Sequence, residues 1–144
     1  MEYFSSVMRD VTQDRAAKEA LQRSRETLQT VTDALPALVA FIDTDERFRF
    51  LNAAYEKAYG RAAASMLGQT VREVVGDDAY SILRDALRRA LGGETMVFER
   101  ELRGRDPYRC EEVSYLPQFD AQGRVAGVHS VTLDITERKK QELR

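Results

Sequence analysis

The stretch from Val125 to Lys139, V-A-G-V-H-S-V-T-L-D-I-T-E-R-K, constrains the fold of this chain more than any other. Apolar and β-branched residues run to Asp134 and give way to polar, helix-favouring Thr136-Glu137-Arg138-Lys139. This reads as a strand that leaves a sheet and becomes an outgoing helix within two residues. Thr136 suits the cap of that helix, because its hydroxyl can accept a hydrogen bond from a first-turn amide. Asp134 supplies an acceptor at the joint. A junction of this kind passes geometry from sheet to helix, so Asp134 and Thr136 are candidate relay residues.

The residues before it supply the rest of a sheet. Leu38–Asp43 (L-V-A-F-I-D) reads as a buried strand, Thr44-Asp45-Glu46-Arg47 as a hairpin turn, and Phe48–Leu51 as the returning strand. Asn52 is placed to cap a short helix from Ala53 to Tyr59 that ends at Gly60. Asp77 and Asp78 are placed to cap a longer helix, Ala79–Leu91. There Tyr80, Leu83, Ala86, Leu87, Ala90 and Leu91 form one apolar face, Arg88 and Arg89 suit the negative helix end, and Gly92-Gly93 stops the helix. Three strands follow, Thr95–Leu102, Tyr108–Leu116 and Val125–Asp134. They are joined by Arg103–Pro107 and by Pro117–Gly123.

Upstream of Pro36 the pattern changes. From Thr12 to Leu35 there is no glycine or proline, and Ala17, Leu21, Ser24, Leu28, Val31 and Leu35 recur at alternating spacings of four and three. That is a heptad seam flanked by charged residues. It fits a helix that pairs two protomers in parallel, or one amphipathic helix on its own domain. At the very start, Ser6-Val7, Asp10 and Thr12 repeat Ser130-Val131, Asp134 and Thr136 at one constant offset. Residues 1–12 therefore read as the exit strand of a preceding domain, with Asp10 and Thr12 as its relay pair. Without their sheet they are expected to fray or pair anew.

The sequence from Leu35, L-P-A-L-V-A-F-I-D-T-D-E-R-F-R-F-L-N-A-A-Y-E-K-A-Y-G, resembles the opening of PAS domains. Met66-Leu67-Gly68, Y-L-P-Q-F-D-A-Q-G-R-V-A-G-V and the closing D-I-T-E-R-K resemble later segments of that family, in order and at its spacing. The resemblance implies an α+β fold, a five-stranded antiparallel sheet in spatial order 2-1-5-4-3 with short helices on one face. The N-terminal linker helix or a partner would cover the other face. The last strand fits, with Val125, Val131 and Leu133 on one face and Val128 on the other. The division is 1–12 strand remnant, 13–35 linker and dimerisation helix, 36–135 PAS core and 136–144 start of the signalling helix.

Composition narrows the chemistry. The apolar fraction is 43% and the net charge −2, with both signs interleaved, so no basic stripe for nucleic acid or an anionic membrane is present. No apolar run approaches the length of a membrane span. A single cysteine excludes an internal disulfide and fits a reducing, cytoplasmic setting, whatever anchors a longer parent. His129 is the one histidine, which excludes a His-His metal site, and its strand neighbours are apolar. Cys110 stands beside Glu111 and Glu112, which disfavour a thiolate. PAS domains that bind haem use a histidine on the long helix, and the flavin light sensors carry a reactive cysteine motif. Neither is present, so haem and covalent flavin are disfavoured and no cofactor is expected.

Arg100 shares a strand face with Met96, Phe98 and Leu102, in a strand that lines the pocket in relatives. It pairs either with an anionic ligand or with a neighbouring or cross-strand acid. Tyr55, Tyr59, Tyr80 and His129 complete the candidate lining of a small-ligand pocket, with core filling as the alternative. The resemblance implies a non-enzymatic sensory and relay module of a bacterial signalling protein, a homodimer through its N-terminal helices. An upstream PAS domain and a downstream histidine kinase or diguanylate cyclase would be covalently attached. The alternatives are a ligand-free dimerising spacer, or a small enzyme using Cys110 or His129.

Overall fold

The computed structural model describes residues 2–102 and 108–142. The chain divides into two units, Met1–Ala34 and Leu35–Arg144. The first is a single helix, α1 (Glu2–Asp33). Residues 2–12, expected as a strand remnant, are helical here. A strand without a sheet leaves its amides and carbonyls unpaired, whereas a helix satisfies them within the segment. The side chain of Asp10 lies outside the described residues. Thr12 is exposed on α1, as are Ala17, Leu21, Ser24, Leu28 and Val31 of the heptad seam.

The second unit runs β1 (Ala37–Asp43), β2 (Phe48–Leu51), α2 (Ala54–Tyr59), α3 (Ala63–Met66), α4 (Val71–Val75), α5 (Asp77–Leu91), β3 (Met96–Leu102), β4 (Arg109–Phe119), β5 (Val125–Asp134) and α6 (Thr136–Glu142). The five strands form one antiparallel sheet in the order β2-β1-β5-β4-β3. The order follows from local pairings, the β1–β2 hairpin and the β3-β4-β5 meander, and β5 closes the sheet by pairing with β1 along the whole length of β1.

Helices α2 to α5 cover one face. Leu87 and Ala90 of α5 are buried in one cluster with Ala40 and Ile42 of β1, Val113 and Tyr115 of β4 and Val128 of β5, and Leu83 is buried beside the inner cavity. Burying each large apolar side chain contributes about 1.5–3 kcal/mol. Phe48, Tyr55, Met66 and Val71 close the core at the β2 end. On the opposite face Val97, Leu116 and Leu133 remain exposed, and Phe41 crosses β5 above Gly127 to lie 4.9 Å from the ring of His129.

Several local expectations are corrected. Asn52 does not cap α2, where Ala53 holds the cap position without a side-chain bond. Its amide instead accepts from Val39 N (3.0 Å) and donates to the Ala37 carbonyl (2.8 Å), fully buried. An amide that both donates and accepts can satisfy two backbone groups of a neighbouring strand, a stronger demand than one helix amide. Asp77 and Asp78 do not cap α5 either. Gly76, with φ of 90°, turns the chain there, and Asp77 lies inside the helix, paired with Arg72 at 2.6 Å. Pro117–Phe119, expected in a loop, extend β4. The expected turn Arg103–Pro107 lies outside the described residues.

Candidate functional site

The strand-to-helix joint is tied by hydrogen bonds that reach across the sheet. Asp134 Oδ1 accepts from the Thr136 amide (2.9 Å) and the Thr136 hydroxyl (2.5 Å). The Thr136 oxygen in turn accepts from the Cys110 amide of β4 (3.1 Å), and Ile135 N donates to the Cys110 carbonyl (3.0 Å). Thr136 thus does not cap α6 in the expected way. Its hydroxyl links β4 to Asp134, and the Ile135 carbonyl begins the helix by accepting from Lys139 N. The two Thr136 bonds, with a smaller contribution from Arg109, hold the Asp134 carboxyl below the usual carboxylate range.

A second set of contacts holds α6 down. Glu99 and Glu112 face each other across β3 and β4. Lys139 Nζ lies 2.6 Å from Glu99, and Arg138 lies 3.5 Å from Glu112 and 3.6 Å from Glu99. The Glu99 carboxylate, then Glu142, raises the Lys139 ammonium pKa. These four residues were not singled out from the sequence. Alternating acids on paired strands are visible there, but the register that opposes them is not.

The interior between α2 and the sheet gathers part of the expected ligand set. Tyr55, Tyr59 and Arg100 line one cavity with Tyr115 and Ser130, and its volume is only about 30 Å³, roughly one water molecule. Tyr55 and Tyr59 stack at 5.8 Å, and Phe98 packs edge-on against Tyr115 at 5.8 Å. Burial, then the neighbouring Tyr59, pushes the Tyr55 phenol pKa up, against a hydrogen bond with Ser130 that lowers it. Arg100 faces its cross-strand partner Glu111, with Nη1 3.9 Å from the carboxylate, while its buried Nε has no hydrogen-bond partner.

The other two expected residues lie elsewhere. His129 is on the opposite sheet face, exposed, with Nε2 3.0 Å from Gln118 Oε1. Tyr80 donates to Glu46 in the β1–β2 turn and so ties α5 to that turn. Cys110 is fully buried, and no group of three metal-ligating side chains occurs among the described residues.

The sheet order and helical cover are those of a known family. Residues 32–140 match the family described as the PAS fold. The chain belongs to the PAS family. The virulence sensor protein BvgS of Bordetella pertussis is 29% identical in an alignment of 139 residues that covers 90% of this chain and 11% of BvgS. The chain therefore spans about 11% of the length of the curated relatives it matches. The solved PAS domain of Bordetella pertussis BvgS is similar at a TM-score of 0.61 and 28% identity, over 86% of this chain and 94% of that one. A PAS domain from Colwellia psychrerythraea shares the fold at a TM-score of 0.62 and 16% identity, over 81% of this chain and 98% of that one. Among the described residues no helix is long and apolar enough to cross a membrane.

Proposed function

We propose that this PAS domain is a non-enzymatic sensory and relay module of a larger signalling protein, with the position of α6 as its output. The observation that carries this reading is the Thr136 hydroxyl, bonded at once to Asp134 at the end of β5 and to the Cys110 amide of β4. A shear between β4 and β5 moves that hydroxyl and with it the first turn of α6. Similarity to a sensor protein of which this chain matches a small part supports a multidomain parent. Its downstream effector would be a histidine kinase or a cyclic-dinucleotide enzyme, with a further PAS domain upstream. The exposed seam of Leu21, Leu28 and Val31 supports dimerisation through α1.

The inner cavity beside Tyr55, Tyr59 and Tyr115, at about 30 Å³, argues against an organic ligand held inside the core. Arg100, expected to await an anionic ligand, has Glu111 opposite it instead. The test is Asp134→Ala in the full-length protein. The expected result is an unchanged fold with loss of coupling between input and output, and unchanged signalling overturns the relay. Native mass spectrometry of this chain tests dimerisation, and a monomer at micromolar concentration refutes the heptad pairing.

A further inference from the structure

Outside the filled interior lies a larger cleft of about 310 Å³ at the end of the sheet that carries the joint. Its existence follows from α2. Ala54, Lys57 and Ala58 fall at helical spacing on one side of α2, while Tyr55 and Tyr59 fill the core. Two alanines where larger side chains could stand leave a hollow, floored by Pro36 and Leu38. Leu38, Glu111 and Thr132 line both this cleft and the inner cavity, so they form the wall between them.

The polar groups of the cleft are unevenly matched. Arg109 reaches Glu111 at 3.5 Å and Asp134 at 3.9 Å, both longer than hydrogen bonds, and its buried Nε has no hydrogen-bond partner. The Lys57 ammonium and the Thr132 hydroxyl have no partner among the described residues. Counting Arg100, which holds Glu111 from the inner side, three cations meet two carboxylates. The cluster is one negative charge short, beside an apolar floor.

We propose that this cleft binds a small organic monocarboxylate with an apolar tail, and that the bound anion draws Arg109 away from Asp134. The carboxylate sits between Arg109 and Lys57, where the guanidinium fork can donate two parallel hydrogen bonds. The tail lies on Pro36, Leu38 and the alanines of α2. The coupling half of this proposal rests on the relay reading, because Asp134 would then keep Thr136 as its chief partner and lose its cation. Binding at the cleft and relay through the joint are separate measurements.

The experiment is a titration of the isotope-labelled chain with sodium acetate, butyrate and hexanoate, against sodium chloride at matched ionic strength, followed by backbone amide NMR. Saturable shifts at Ala58, Thr132, Asp134 and Thr136 are expected with the carboxylates and not with chloride. Affinity should rise about fourfold per methylene until the cleft is full. Arg109→Gln should weaken hexanoate binding at least about tenfold, as loss of a charged hydrogen-bonding group does, while Arg84→Gln on α5 should leave it unchanged. Lys57→Gln serves where Arg109→Gln perturbs the fold, since Lys57 has no partner to lose. Absence of saturation, equal shifts with chloride, or unchanged affinity in both cleft variants overturns the site. Saturable shifts confined to the cleft residues, Asp134 included, without shifts at Thr136 and the α6 amides, overturn the coupling.

Discussion

Lys139 of the exit helix and Glu99 of the edge strand β3 form a 2.6 Å ion pair, and Arg138 lies alongside between Glu99 and Glu112. The register places those two glutamates directly opposite each other, where like charges repel. The first turn of α6 supplies the two cations that relieve this. The helix is thus fastened to the sheet by charge as well as by the Thr136 hydrogen bonds.

Glu99→Gln should therefore loosen α6 without unfolding the domain. Hydrogen exchange of the amides from Lys139 to Glu142 is expected to speed up, while exchange in β5 stays slow. Raising salt on the unaltered chain should have the same effect in part, since the pairs are partly exposed. Exchange in α6 that ignores both changes refutes the fastening.

The Asp134 carboxyl titrates below its ordinary value because Thr136 donates to its ionised form. A carboxylate with a lowered folded-state pKa contributes stability above its unfolded pKa of about 3.9, and that contribution is lost as pH falls through the folded value. Local protection of α6 should accordingly fall on acidification below about pH 4. Asp134→Asn should remove that acid step and leave protection low at neutral pH. NMR titration of the Asp134 carboxyl carbon checks the direction of the shift.

Asn52→Ala should destabilise the domain by about 2–3 kcal/mol, because it strands the Val39 amide and the Ala37 carbonyl. Urea denaturation with an unchanged slope is the measurement. Asn52→Asp should not rescue it, since a carboxylate cannot donate to the Ala37 carbonyl.

Gly127→Ala should cost about 1–3 kcal/mol. A Cβ at this position would lie 2.5 Å from both the Ile42 carbonyl oxygen and the Phe41 ring. Phe41→Ala in the same chain should recover only part of the loss, since the backbone oxygen of Ile42 stays in place. A double-mutant cycle in urea separates the two contributions.

The sequence by itself determined the strands, the long helix, the sheet order through its family likeness, and the strand-to-helix joint at Asp134 and Thr136. Each of these is written in local periodicity or a short contiguous motif, where neighbours in the chain are neighbours in space. Only the tertiary structure decided what the side chains at those places bond. Asn52 turned from a cap into a strand clamp, and Thr136 bonded across to β4, because the strongest unmet partners lay on strands distant in sequence. The inner cavity depends on how Tyr55, Tyr59 and Tyr115 fill a volume bounded by three elements, a packing outcome that residue types alone do not fix. The residues at the N-terminus show the same limit from the other side. Their likeness to an exit strand is plain in the letters, but a strand needs a sheet, and in this chain they form a helix.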